Sequence, residues 1–208
     1  MVVSSRSLTL VSVAEKMVLS DDPLFSSKFH ATVTPPEIEQ IFQITKTNMQ
    51  SYYDSCGDES WKWDDDKKFK ELCNKKNRFI VEKNSETIVG FISFRFMVDC
   101  GDPVAYVWEI QVTRVGEGLG TSMMDKLENF LKSSTGIRKI VLTVLRNNKR
   151  AIDFYEKRKY GIDKSSPQSG CYIIMSKKIY IELILCFSTL FSPVLVCLSS
   201  HMDSLRQV

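Results

Sequence analysis

The residues best suited to do chemistry lie in one stretch of the chain. Glu109 sits on a strand-like run and is followed by Gly116-Glu117-Gly118-Leu119-Gly120, just ahead of an apolar helical pattern. Glycines let a backbone approach an anion closely, and the unpaired N–H groups of a helix start point at it, so the loop has the outline of a phosphate cradle. The same spacing also suits a plain strand-to-helix turn. A carboxylate on a mid-sheet strand can take a proton directly or through water, provided burial raises its pKa. Paired with a surface lysine, Glu109 would only hold charge. Tyr155 can protonate a leaving group or serve as a core aromatic on an amphipathic helix. With only His30 and His201, the chain has little material for a Ser/His/Asp triad and no His-Glu-x-x-His zinc helix. Proton transfer falls to carboxylates, tyrosines, cysteines or water.

These residues need a sheet and a helix to hold them, and the pattern supplies both. The run 37–53 places Ile38, Ile41, Phe42, Thr45 and Met49 at helical spacing after Pro35-Pro36. An acidic and aromatic loop follows, with Asp54, Asp58, Glu59, Trp61, Trp63 and Asp64-Asp65-Asp66. Strands are predicted over 79–83, 87–98 and 104–112, joined by turns at Asn84-Ser85 and Cys100-Gly101-Asp102-Pro103. Turns this short require an antiparallel meander. After the glycine loop, Leu119, Met123, Met124, Leu127, Phe130 and Leu131 form an amphipathic stripe. A strand over 137–145, a helix over 148–157 and a strand over 171–176 complete the pattern, with a crossover unit at its centre. A dinucleotide fold is disfavoured, because its glycine fingerprint follows the first strand of a parallel sheet.

Composition narrows the class. The 208 residues carry 28 Lys+Arg against 25 Asp+Glu, a formal charge of +3, which excludes a histone-like polycation. The six cysteines form no C-x-x-C pair and read as reduced thiols, and no metal site is expected. Acid gathers in two loops, at Asp54–Asp66 and at Asp99 and Asp102, as an enzyme for a basic tail would need; a solvated loop explains Asp64-Asp65-Asp66 as well. No basic stripe accompanies the aromatics, so direct nucleic-acid binding is not expected.

The ends differ from the middle. Residues 1–30 are Ser-rich and read as a poorly ordered arm, with a cleaved targeting peptide as the alternative. Residues 179–208 form a hydrophobic tail, and 179–198 carries Glu182 as its only charge. That length suits a membrane-crossing helix, whereas Glu182 and Pro193 favour burial in a soluble chain.

The meander, the glycine loop, the helix, the strand and the segment Asn148-Lys149-Arg150-Ala151-Ile152-Asp153-Phe154-Tyr155 together resemble the GCN5-related (GNAT) acetyltransferases. Within that superfamily, Lys46-Thr47-Asn48-Met49-Gln50, Trp61-Lys62-Trp63, Phe94-Arg95-Phe96, Cys100-Gly101-Asp102, Glu109-Ile110-Gln111-Val112, Leu142-Thr143-Val144 and Ser165-Ser166-Pro167 are similar to N-terminal acetyltransferases of the NatD type. The likeness covers about 37–178, and the domain is drawn as 31–178. The resemblance implies an α/β (α+β) GNAT fold: a central mixed, mostly antiparallel sheet flanked by helices, with a pyrophosphate-binding loop before the central helix. It implies acetyl-CoA as donor, and as acceptor the N-terminal α-amine of core histone tails beginning Ser-Gly-Arg-Gly. It further implies a monomer in nucleus and cytoplasm, a membrane being reached only through 179–198.

Residue by residue, the resemblance makes Glu109 the general base, with Trp108 and Tyr155 completing the catalytic set. Ile110, Gln111 and Val112 hold the acetyl and pantetheine portions, Gly116, Glu117, Gly118, Leu119, Gly120 and Thr121 the pyrophosphate, and Asn148 a further cofactor contact. Tyr53, Trp61, Met97, Val98, Asp99, Trp108, Thr143 and Tyr172 line the peptide site. The chain also departs from the pattern. The loop before Gly118 is about two residues short, and Val115 stands where the motif has Gln or Arg. Met97 replaces an acidic residue and Trp108 a tyrosine. Two alternatives therefore stay open: an acetyltransferase for lysine or small amines, and a catalytically weakened acyl-CoA-binding protein.

Overall fold

The hydrophobic pattern resolves into a seven-stranded sheet with helices on both faces. The structure is a computed structural model, and it describes residues 4–19, 29–30 and 33–180. Its elements are α1 (Ser5–Leu19), β1 (Phe29–His30), α2 (Pro35–Asp54), α3 (Asp65–Leu72), β2 (Arg78–Asn84), β3 (Thr87–Asp99), β4 (Asp102–Val112), α4 (Leu119–Ser134), β5 (Lys139–Leu145), α5 (Lys149–Lys157), β6 (Gly161–Ile162) and β7 (Tyr172–Lys178). The strand order is β1-β2-β3-β4-β5-β7-β6. Every neighbouring pair is antiparallel except β4 and β5, which run parallel and are joined through α4. The mixed, mostly antiparallel fold expected from the sequence is the fold observed.

The two faces bury separate cores. On one, Met123, Met124, Leu127, Phe130 and Leu131 of α4 meet Ile80, Ile92, Phe94, Phe96, Ala105 and Val107 of the meander. On the other, Ile38, Ile41 and Phe42 of α2 and Leu72 of α3 cover Phe79, Val81, Ile88 and Phe91. Each fully buried Leu, Ile or Phe contributes about 1.5–3 kcal/mol, so the sheet is clamped from both sides. Helix α2 starts where Glu37 accepts from the N–H and hydroxyl of Thr34, at 2.6 and 2.8 Å. Lys83 closes on the same carboxylate at 2.7 Å. Its hydrogen bond, together with those from Thr34, lowers the Glu37 pKa to about 2.

Two regions differ from the sequence reading. Where an arm of low order is expected, Ser5–Leu19 forms a 15-residue helix. Wound as a helix, Val11 and Ala14 share one face and pack into the α4 core, and Ala14 is fully buried. Ser7 ties the helix to the β3–β4 turn by donating to the Gly101 carbonyl at 3.0 Å. The serines between the apolar positions hide this stripe in the sequence. The second region is the acidic loop, whose end is helix α3: Asp64 caps it by accepting from the Lys67 N–H at 2.9 Å, and Asp65 and Asp66 sit in its first turn. The tail expected to be a membrane candidate lies outside the described residues apart from buried Ile179 and exposed Tyr180. No helix among the described residues is long and apolar enough to cross a membrane.

Candidate active site

The site is made by a sheet that comes apart. Strands β4 and β5 pair only from Ala105↔Ile140 to Val107↔Leu142, although β4 continues to Val112 and β5 to Leu145. At the same point β4 bulges: Ser93 of β3 faces Glu109 and Phe94 faces Val107, leaving Trp108 as the extra residue. A bulge bends its strand and increases local twist, which turns β4 away from β5. It also resets the alternation of faces. Val107, Ile110 and Val112 pack toward α4, while Glu109 and Gln111 turn to α2 and α3. The opening is a cleft of about 980 Å³.

One end of this cleft is built from main chain. Gly116 and Gly118 have φ of 88° and 76°, the left-handed region that other residues adopt only at a cost. Gly118 is the N-cap of α4, and the first helical hydrogen bond runs from Ser122 N–H to its carbonyl at 2.9 Å. The N–H groups of Leu119, Gly120 and Thr121 therefore lack helical acceptors, and all three residues line the cleft. Helix α5 approaches closely here, because a Cβ on Gly120 would stand 3.4 Å from Phe154. Ile110, Gln111 and Val112 line the adjoining wall, where β4 has lost its β5 partner. Asn148 caps α5 by accepting from the Ala151 N–H at 3.1 Å, while its amide nitrogen faces the Met49 sulfur at 3.9 Å. Glu117 is turned outward and pairs loosely with Arg114 at 3.7 Å.

These features fit acetyl-CoA. The helix start and left-handed glycines suit a diphosphate, and the unpaired edge of β4 suits an extended, amide-bearing arm. Gly116, Gly118–Thr121, Ile110–Val112 and Asn148 would hold it, with the expected Glu117 outside the lining, and when bound it supplies an activated thioester.

The other end is built from side chains. Glu109 is buried, with one oxygen on the Lys68 ammonium at 2.8 Å and the other accepting from the Gln111 amide at 2.9 Å. Gln111 in turn accepts from Asn48 of α2 at 3.0 Å. Both carboxylate oxygens are engaged, yet each keeps a lone pair for a further proton donor. Burial alone would lower the pKa of Lys68, but Glu109, Tyr53 and Glu71 outweigh it and hold the ammonium charged. Burial pushes the Tyr53 phenol up to about 12, with the Glu109 charge adding to it. Tyr155 is buried, and burial followed by the Glu109 charge keeps its phenol protonated well above the ordinary tyrosine range. It belongs to the α4 core and to the cleft wall at once.

An aromatic wall borders these groups. Trp61 lies over Tyr53 at 6.2 Å and against Tyr172 at 4.7 Å between ring centroids. Across from it, the Tyr106 hydroxyl and the Thr143 hydroxyl share a 2.6 Å hydrogen bond. Trp108, at the bulge, contacts the Tyr106 ring at 5.5 Å and lies under the Arg95 guanidinium at 4.2 Å.

The structure gathers most of the expected residues and leaves some aside. Glu109, Trp108 and Tyr155 share the cleft with Tyr53, Trp61 and Thr143. Tyr172 lies outside the lining, packed against Trp61 and within electrostatic reach of Tyr106. Met97, Val98 and Asp99 stand on the β3–β4 hairpin opposite Val104, Pro103 and Asp102, away from the lining, although the Asp99 charge is felt at Tyr106. The acid of the loop has structural duties: Asp58 accepts from Ser60, and Asp65 from Lys46 and the Trp63 indole, both at 2.5 Å. Lys68, Glu71 and Tyr106 were not singled out by the sequence. For Lys68 a signal existed, since Asp64 as a cap followed by Phe69 and Leu72 at helical spacing marks a short helix. Among the described residues no group of three His, Cys, Asp or Glu could hold a metal.

Known proteins share this fold. The chain is similar in fold to PaiA N-acetyltransferase from Thermoplasma acidophilum in complex with coenzyme A, at 18% identity and a TM-score of 0.56 over 73% of this chain and 98% of that one. It is similar to Arabidopsis thaliana NAA60 in complex with a bisubstrate analogue, at 13% identity and 0.51 over 72% and 96%. It is also similar to the ribosomal-protein-S18-alanine N-acetyltransferase of Escherichia coli, at 17% and 0.51 over 74% and 94%. At such identities the likeness shows the fold alone. A sequence-family profile described as the acetyltransferase (GNAT) family matches residues 38–160, more than half of the chain. With this match and the cleft that fits the donor, the chain belongs to the GNAT acetyltransferase family and uses acetyl-CoA as its co-substrate.

Proposed function

We propose that this acetyltransferase transfers the acetyl group to the N-terminal α-amine of histone tails beginning Ser-Gly-Arg-Gly, directly and in a ternary complex. The observation that carries the reading is the continuity of one cleft from the Gly116–Gly118 loop to the Tyr53–Trp61 wall, with Glu109 between them. An α-amine has a pKa near 8, so only modest help is needed to present it as the free base. Glu109 accepts that proton through an unused lone pair, directly or through water. Main-chain N–H groups on the open edge of β4 polarise the carbonyl oxygen, an effect worth roughly 3 kcal/mol in comparable sites. Tyr155, held protonated by burial, donates from its hydroxyl to the departing sulfur.

The choice of a histone tail is supported by the sequence motifs resembling the NatD type and by the charge of the acceptor end. Immediately around Lys68, Glu71 and Glu109 leave one net negative charge beside the cationic N-terminus, although Lys62 and Lys67 balance it together with Asp64 across the wider lining. In this reading the enzyme works as a monomer in cytoplasm and nucleus and takes histone rather than nucleic acid. Acetyl transfer to a Ser-Gly-Arg-Gly peptide, with the product mapped by tandem mass spectrometry, tests it: the acetyl group is expected on the α-amine. Acetate found on lysine ε-amines alone overturns the histone reading in favour of a lysine or small-amine enzyme. Acetyl-CoA binding by calorimetry without turnover would instead identify an acyl-CoA-binding protein.

A further inference from the structure

The least expected group in the cleft is a buried ammonium. The Lys68 side chain is 8% exposed, yet it ends in the acceptor half of the site. Its Nζ stands 2.8 Å from Glu109 Oε1, 3.2 Å from Glu71 Oε1 and 3.3 Å from the Tyr53 hydroxyl, and 5.1 Å from the centre of the Tyr53 ring. An ammonium has three donors and no acceptor. Three donors meet three acceptors, one each from α2, α3 and β4. Glu71 shares the helix of Lys68, so the two long-range bonds are those that join Glu109 to Tyr53. Trp61 lies on that same tyrosine. The carboxylate beside the reacting amine and the aromatic wall beside the peptide are thereby fixed to one atom.

We propose that Lys68 is a positioning residue for acetyl transfer, holding the Glu109 carboxylate in register with the Tyr53–Trp61 wall. It acts through Glu109 and touches neither the thioester nor the amine. The charge matters as well as the tether. Without the ammonium, Glu109 and Glu71 would face each other uncompensated, and Glu109 would be free to leave the orientation in which Gln111 also holds it. The inference rests on acetyl transfer in this cleft and not on the identity of the acceptor, so any amine the wild-type enzyme acetylates serves as substrate.

The test is a double-mutant cycle on the full chain with Lys68→Gln, Lys68→Arg, Glu109→Gln and the Lys68→Gln/Glu109→Gln pair. All three tryptophans, Trp61, Trp63 and Trp108, line the cleft, so intrinsic emission reports folding and peptide binding independently of turnover. Lys68→Gln is expected to lower kcat about 30-fold with KM for the peptide within threefold, the pattern of a lost transition-state interaction. Lys68→Arg is expected to recover to within fivefold of wild type, since it keeps the charge. In the Glu109→Gln background, Lys68→Gln should cost less than a further threefold, because the partner it positions is gone. A kcat for Lys68→Gln within threefold of wild type overturns the proposal, as does a loss that multiplies in full onto that of Glu109→Gln. If Lys68→Gln does not fold, the neutral Gln/Gln pair and Lys68→Arg decide: a folded pair no slower than Glu109→Gln supports the proposal, and a pair slower by tenfold or more overturns it. Failure to acetylate a Ser-Gly-Arg-Gly peptide by the wild type would refute the histone reading and leave this cycle to be run on the amine that is acetylated.

Discussion

The two ends of the cleft solve different problems with different materials. At the donor end the groups are peptide N–H and C=O, placed by a left-handed Gly118, the start of α4 and the unpaired edge of β4. At the acceptor end they are side chains from α2, α3, β4 and β5 that meet only in the folded protein: Tyr53, Lys68, Glu109 and Thr143. A donor that is always the same molecule can be held by a backbone geometry indifferent to most side chains. An acceptor that must be told from other amines needs chemically distinct groups, and those carry a desolvation cost. The buried Lys68–Glu109 pair, with half-buried Glu71 completing the triad, shows that cost most plainly.

The largest expected effect follows from that triad. Removing one partner of a buried ion pair leaves a charge uncompensated and typically costs about 3–5 kcal/mol. Lys68→Met should therefore lower the thermal midpoint by roughly 10 °C, given about 2–4 °C per kcal/mol at this chain length. Calorimetric unfolding checks it, and a shift below 3 °C would mean that the acceptor end does not depend on the pair. At the donor end, Gly118→Val should act through backbone strain. A β-branched residue in the left-handed region costs about 1–2 kcal/mol. The loop relaxes out of its binding conformation and acetyl-CoA affinity falls about tenfold, while peptide binding measured by tryptophan emission stays within twofold. A fall in both would show that the two ends are not separable.

The same division explains what the sequence reveals. The donor end is local: a strand, three glycines and an amphipathic stripe within 109–131 carry it, and a one-dimensional pattern is enough to find it. The meander and the parallel closure through α4 are legible for the same reason. The acceptor end is not local. The bulge at Trp108 cannot be seen in the residues of β4, because it exists only in the pairing with β3, yet it decides that Glu109 turns toward α3 rather than α4. Lys68 looks like one more charge in a basic-acidic run, and only its place behind the Asp64 cap makes it a buried ammonium. Asp99 and Met97, expected at the peptide site from motif likeness, stand on the β3–β4 hairpin outside the cleft lining, with the Asp99 charge reaching Tyr106.

A smaller effect isolates the aromatic wall. Trp61 contacts Tyr53 and Tyr172 and completes the acceptor end. Aromatic pairs are worth about 0.5–1.5 kcal/mol beyond area burial. Trp61→Ala should raise the peptide KM roughly threefold to tenfold and leave the acetyl-CoA dissociation constant within twofold. Steady-state kinetics with calorimetry of the donor alone separates the two, and an equal loss in both constants would break the division between the ends.

The smallest effect is the most discriminating, because Asn148 does two jobs at the donor end. Its Oδ1 caps α5 through the Ala151 N–H, and its residue lines the cleft near the start of α4. Aspartate caps as well as asparagine does, and a negative charge at a helix N-terminus adds roughly 0.3–1 kcal/mol. Asn148→Asp should therefore keep or slightly raise the thermal midpoint. The same charge faces an anionic donor. Asn148 is itself buried but borders the open cleft, where such repulsion is on the order of 1 kcal/mol at close range and salt screens it only in part. Acetyl-CoA binding should weaken about threefold to fivefold at low salt and recover part of that loss at 0.5 M. Stability and affinity then move in opposite directions from one atom's replacement. If the affinity loss instead persists at high salt, the amide nitrogen of Asn148 makes a contact that charge screening cannot restore, and the donor end is less purely main chain than its geometry suggests.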